Sequence, residues 1–313
     1  KEERRWRNEY MPQSKVNEQY EAMLYRAHPY GRPVVGFMND LEHMTADDAR
    51  EWYRHWYAPN NATVVVVGDV QAQAVFALAD KTFGKLKAKP LPVRKPQVEP
   101  AQIGERRAVV KAPAKLPYFV MGFHAPALKN GAAYDEQDWE PFALEVLSSV
   151  LSGNGSSRLN QKLVREQAIA LDIDTGYDST NRGQSASFEI AASPSEGVSQ
   201  DALIQAIWAQ IDEIKTHGVT ADELHRVKAA VIAADVYKRD SMFYQAMQMG
   251  QLETMGYPLS LLQTNAARVQ AVTSEQIQAV AKKYLLPDQL TMVSLDPQPL
   301  DPNQAPVGRP HQH

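Results

Sequence analysis

The first ten residues, Lys1-Glu2-Glu3-Arg4-Arg5-Trp6-Arg7-Asn8-Glu9-Tyr10, place carboxylates and cations at helical spacing. Two chemistries are open to them. One is a solvated helix face laced by ion pairs three and four residues apart, which carries no function. The other makes Glu3 one ligand of a metal ion whose remaining ligands precede Lys1. No Ser, Thr, Asp or Asn stands ahead of the first periodic residue, so the stretch reads as the middle of a helix whose beginning is absent. A self-contained active site is harder to find. His28, His43, His55, His124, His217, His225, His311 and His313 include no pair three or four apart on an expected helix, the spacing that turns two imidazoles toward one zinc ion. There is no P-loop and no glycine-flanked serine elbow. Gly153-Asn154-Gly155-Ser156-Ser157 follows an expected helix rather than a strand, which favours a helix-to-helix turn over a phosphate cradle.

Composition narrows the classes further. A chain of 313 residues with 44% hydrophobic and 22% charged residues suits two soluble domains. A net charge of -4 without a polybasic run argues against nucleic acid and anionic membrane as partners. The longest apolar run, 62–68, is far short of the ~18 residues of a membrane span and suits a buried strand. With no cysteine, disulfides, thiol nucleophiles and Cys-ligated zinc are excluded.

The elements that must position these residues follow from periodicity and punctuation. Residues 1–27 are helical in pattern and end at His28-Pro29. Thr45 caps a second helix that stops at Pro59, residues 62–67 form a strand buried on both faces, and 71–86 form a third helix. Pro90, Pro92, Pro96 and Pro100 mark an extended linker. Beyond it lie strands near 105–111 and 118–124, a helix at 136–151, a short helix toward Arg165, and strands at 169–177 and 185–192. Helices at 199–216, 220–255, 260–271 and 274–284 and a strand at 290–295 complete the pattern. Thr45, Pro59 and Thr63 recur as Thr273, Pro287 and Thr291, the offset being 228 each time (273 − 45, 287 − 59, 291 − 63). Matched helix cap, helix stop and strand start imply a duplicated α/β unit whose first copy lacks its front half, on the order of 120–150 residues for a domain of ~200.

Several blocks then resemble one family. Glu2-Glu3-Arg4-Arg5, the loop from His28-Pro29-Tyr30-Gly31-Arg32-Pro33 to Gly36, Trp56-Tyr57-Ala58-Pro59-Asn60-Asn61, and Val67-Gly68-Asp69-Val70 look like consecutive blocks of the M16 metallopeptidases, which include pitrilysin, insulysin and the mitochondrial processing peptidase. Gly155-Ser156-Ser157-Arg158-Leu159, followed by Leu163-Val164-Arg165-Glu166, resembles the signature of that family's second domain. The resemblance implies an α+β chain of two homologous α/β domains, the first incomplete at its N-terminus. Residues 1–87 would close the first domain, 88–103 link, 104–296 form the second, and 297–313 make a disordered tail. It implies a zinc-dependent endopeptidase subunit that hydrolyses unfolded peptides in a clamshell chamber with metal-activated water. Zn2+ would be held by an H-x-x-E-H motif before Lys1, with Glu3 as the distal ligand and Glu2 as the alternative one position earlier. The covered chain would contain no general base and would be inactive alone.

Arg165 would be a transition-state helper. Leu171 stands where the family usually has the tyrosine of an arginine–tyrosine pair, and leucine cannot donate a hydrogen bond. Tyr177 is a weak substitute six residues on, so a second M16 subunit would supply the pair in a heterodimer, with a homodimer as the other arrangement. Bacterial relatives of this shape are often exported, so a periplasmic or secreted location is expected. The alternatives are a non-catalytic M16-like scaffold and a peptide-binding subunit that has lost the metal.

Overall fold

The computed structural model describes residues 1–95, 97–180 and 185–300. The chain opens with α1 (Glu2–Arg4), which runs on without a break as a π-helical turn over Arg5–Glu9. Pro12, free to start a helix because the first N–H groups need no partner, begins α2 (Pro12–Leu24). Then come α3 (Met38–His43), α4 (Ala46–Trp56) and α5 (Ala72–Phe83). The second half holds β1 (Arg106–Pro113), β2 (Tyr118–Pro126), α6 (Glu140–Ser152), β3 (Ala170–Gly176) and β4 (Ser185–Pro194). It continues through α7 (Gln200–His217), α8 (Ala221–Lys238), α9 (Met242–Met255), α10 (Leu261–Ala271), α11 (Ser274–Tyr284) and β5 (Thr291–Gln298).

The five strands make one mixed sheet, ordered β1-β5-β2-β4-β3, in which only β1 and β5 run parallel. Alternation along β2 decides what covers each face. Phe119, Met121 and Phe123 point to the main core, which they share with Phe142, Leu144 and Leu147 of α6, Ile207 and Ile211 of α7, and Ile277 and Val280 of α11. Val120 points the other way, with Val293 and Leu295 of β5, onto Val16, Tyr20 and Leu24 of α2. Those three α2 side chains are buried, and each contributes roughly 1.5–3 kcal/mol. A helix from before the linker thus covers the sheet built after it.

The repeat appears in three dimensions. Thr45 and Thr273 each close a capping box, α4 and α11 span equivalent residues, and 3-10 turns at Pro59–Asn61 and Pro287–Gln289 keep the 228-residue offset. The copies then part. After Pro287 the chain enters β5, whereas 62–67 pairs with no strand among the described residues. The expected doubly buried strand is therefore corrected: Val64 is 70% exposed, because the sheet ends at β1 and β3 and neither edge reaches it. Trp52, Tyr53, Tyr57 and Phe76 of the same unit are exposed as well, so 38–86 closes no core of its own among the described residues.

The single helix expected over 220–255 is two. Arg239-Asp240-Ser241 breaks it, and the Ser241 hydroxyl accepts from the Tyr244 N–H at 3.2 Å to cap α9. At the other end of the chain, β5 includes Pro297 and Gln298, which were expected in the tail, while 301–313, with His311 and His313, lies outside the described residues.

The short helix expected toward Arg165 is a π-turn, Asn160–Glu166, left by way of Ala168 at φ 52°. A side chain in the left-handed region costs roughly 1–2 kcal/mol, partly offset by the lower unfolded-state entropy of alanine relative to glycine. Ala168→Gly is expected to raise stability by about 0.5–1 kcal/mol. A thermal melt in which the variant unfolds below the parent would contradict this.

Candidate functional site

Glu3 lies on α1 and is 61% exposed, with Oε1 accepting from Arg7 Nε at 2.8 Å. Glu2 faces solvent and pairs with Arg5. Beneath them Arg4 reaches inward and donates to both carboxylate oxygens of Glu18 on α2, at 2.6 and 2.8 Å, which pins α1 to α2. The helix face is thus laced by ion pairs, and it also ends in a π-turn, a rare geometry enriched at functional sites. Among the described residues no three His, Cys, Asp or Glu side chains could hold a metal ion. Zinc needs three protein ligands, and one exposed carboxylate does not fit it unaided.

Arg165 occupies the second π-turn. Glu166 is engaged by Lys162 at 2.9 Å, and no carboxylate pairs with Arg165 among the described residues. Its guanidinium lies on the Gly155 turn, where an added Cβ would come within 2.6 Å of Nη2. No hydrogen bond or ion pair joins it to Glu3. Leu171 on β3 is 57% exposed, and the Tyr177 hydroxyl donates to the Pro126 carbonyl. The hydroxyl proton of Tyr177 is thus used within the fold. Arg158, in the same signature, has a structural partner instead: it forms a two-pronged ion pair with Glu223 at 2.9 and 2.6 Å, with both side chains largely buried, and so ties the Gly155 turn to α8.

What the sequence did not disclose is how the loop after α2 is held. Arg106 of β1 donates to the Met23 and Leu24 carbonyls, and His124 of β2 donates through Nε2 to the Leu24 carbonyl at 3.0 Å. Glu99, in the stretch expected to be an extended spacer, accepts from the N–H groups of Arg26, Ala27 and His28 at 2.8, 2.8 and 2.9 Å. Desolvation pushes this carboxyl up, but the three N–H groups hold it below the usual range. Nothing local in a Pro-rich segment signals such a clamp.

The clamp shapes a cavity of about 720 Å³ between α2, the loop at Tyr30 and the β3–β4 side of the sheet. Glu21 stands at its rim and Glu189 on its floor. Ser187 donates to Glu189 at 2.5 Å. Burial pushes Glu189 up, and burial followed by repulsion from Glu189 carries Glu21 up to about 7. A signal existed in Ser185-Ala186-Ser187-Phe188-Glu189-Ile190, whose polar residues share one face of a strand. That pattern reads as a solvent face, and the structure turns it toward α2 and the cavity.

Residues 43–231, more than half of the chain, match the family model described as the peptidase M16 inactive domain. The chain belongs to the M16 peptidase family. It is 33% identical over 234 residues to the zinc protease PqqE of Helicobacter pylori, an alignment covering 72% of this chain and 50% of that protein. The chain thus spans about half the length of this curated relative. Its fold superimposes on the crystal structure of a protease from Helicobacter pylori with a TM-score of 0.85 at 28% identity, covering 95% of this chain and 70% of the other. The periplasmic protease PqqL of Escherichia coli shares the fold, with a TM-score of 0.73 at 16% identity over 96% of this chain and 34% of its own. Relatives of this M16 chain are thus named zinc proteases, while the family model that matches most of it describes an inactive domain. No helix among the described residues is long and apolar enough to cross a membrane.

Proposed function

We propose that this chain is the later part of an M16 zinc-dependent endopeptidase subunit that encloses unfolded peptides in a clamshell chamber. The observation that carries the proposal is the repeat. Of two units with matching capped helices and 3-10 turns, one feeds a completed sheet and the other an open strand segment flanked by exposed aromatics. In the intact protein a preceding segment completes the first unit and carries H-x-x-E-H, and Glu3 adds the third protein ligand. The inactive-domain description of 43–231 supports placing the metal outside that segment, where Glu3 lies. Arg165 helps stabilise the transition state. Because Leu171 cannot donate, a partner M16 subunit provides the arginine–tyrosine pair, and the protein works in the periplasm, as the name of PqqL suggests for that relative.

A second possibility, a non-catalytic scaffold or peptide-binding subunit, is favoured by the same inactive-domain description and by the lone carboxylate. Cleavage of a quenched fluorescent, unstructured peptide separates the two. The intact protein is expected to cleave slowly alone and about 10²–10³-fold faster with its partner, the factor associated with oxyanion donors, and to stop with a zinc chelator. Full activity without a partner removes the heterodimer. A zinc-free, inactive pair leaves the scaffold.

A further inference from the structure

We propose that the cavity between α2 and β4 is a binding site for the cationic side chain, lysine or arginine, of an extended polypeptide. The proposal rests on the peptide-binding part of the function above and not on the metal or on cleavage.

The cavity has the chemistry of a cation receptor. Among the described residues three carboxylates, Glu21, Asp178 and Glu189, line it against one cation, Arg32. Among the described residues neither Glu21 nor Glu189 forms an ion pair, and the hydroxyl of Ser187 is the one donor in hydrogen-bonding geometry to Glu189. Its walls include Tyr25, Tyr30 and Tyr177, whose ring faces attract a cation. Glu189 is a partly buried carboxylate without a counter-charge among the described residues, which is costly, and such a group in a cleft marks a candidate binding site.

A second feature lies under the floor. Tyr20 is 2% exposed, and its hydroxyl has no hydrogen-bond partner among the described residues. It sits over Gly122, whose cross-strand partner is Glu189, and faces Glu189 and Ser187 without reaching hydrogen-bonding geometry. An ammonium or guanidinium entering the cavity would draw the Glu189 carboxylate into its charged form, for which the Tyr20 hydroxyl is a ready donor. Size agrees as well: about 720 Å³ admits a long side chain together with adjacent backbone.

The test uses this chain and a fluorescein-labelled, unstructured nonapeptide with one central arginine, compared by anisotropy with the same peptide bearing citrulline, its neutral isostere. The arginine peptide is expected to bind about tenfold more tightly, with an advantage that shrinks at high salt. Glu189→Gln and Glu21→Gln are each expected to erase most of that advantage while leaving the citrulline peptide unchanged, and Arg32→Gln is expected to enlarge it. Melting temperatures of the two Gln variants should equal or exceed the parent's, since each loses an unpaired carboxylate. Equal affinity for both peptides overturns the cation site and leaves the wider function standing. Binding of neither peptide overturns the peptide-binding reading and this site with it. If a variant fails to fold, the comparison of the two peptides on the parent chain still decides.

Discussion

In the intact protein, Glu3→Gln is expected to lower zinc occupancy at limiting metal by at least the ~10–100-fold seen when outer-shell partners are removed, and to abolish peptide cleavage with it. Glutamine keeps the length and shape of the side chain but loses the charge that makes a carboxylate a good zinc ligand. The fold should not register the change. Among the described residues the ion pair broken is the exposed one with Arg7, and such pairs contribute about 0–1 kcal/mol. Arg4, which does anchor the helix through Glu18, is untouched. Metal analysis after dialysis against buffered zinc, with melting temperature as the fold control, reads the result. Glu2→Gln is the matched control and should keep its metal. If Glu2→Gln strips the zinc and Glu3→Gln does not, the ligand is one position earlier than assigned.

The largest effect on stability is expected at Gly122. A Cβ there would lie 1.6 Å from the Tyr20 hydroxyl oxygen and 2.5 Å from the ring carbon that bears it. Tyr20 cannot swing away, because its ring is packed between α2 and the sheet. Gly122→Ala must therefore lift α2 or bend β2, at about 3 kcal/mol or more, the upper range for overpacking. At ~2–4 °C per kcal/mol the melting temperature should fall by about 6–12 °C. Tyr20→Phe alone should be neutral or slightly stabilising, since the hydroxyl it removes is buried without a partner. In the double variant only part of the loss should return, because the hydroxyl oxygen is gone but the ring carbons at 2.5 and 2.8 Å still meet the new methyl group. Additive effects in that cycle would mean that the damage at Gly122 does not pass through Tyr20.

Much of the architecture was legible because it rests on local rules. Thr45 and Thr273 cap where a threonine before a helix should, Pro59 and Pro287 stop those helices, and the strands after the linker follow alternation to within a few residues. The segment at 62–67 was misjudged for a reason that no local rule contains. A run of valines fits a strand, but a strand exists only when another backbone pairs with it, and among the described residues none does. The break at Ser241 was missed although Asp240-Ser241 is a local cap signal, because helix formers resume directly after it. Glu3 and Arg165 were singled out by resemblance, and the structure adds that each belongs to a helix with a π-turn. The carboxylates of the cavity had no sequence signal strong enough to separate them from an ordinary wet face. Glu21 and Glu189 are 168 residues apart (189 − 21) and meet only because α2 crosses back over the sheet.

That crossing means that connectivity and cooperativity divide the molecule differently. The Pro-rich segment at 88–103 is where the chain pauses, yet Val120, Val293 and Leu295 depend on α2 for their cover, and Arg106 and His124 hold its C-terminal end. Cutting the backbone at the linker would part the polypeptide without parting the hydrophobic layer. Conversely, a fragment beginning after the linker would carry its whole sheet and yet expose one side of it to water. The layer that buries both faces of the sheet therefore begins with α2, well ahead of the prolines.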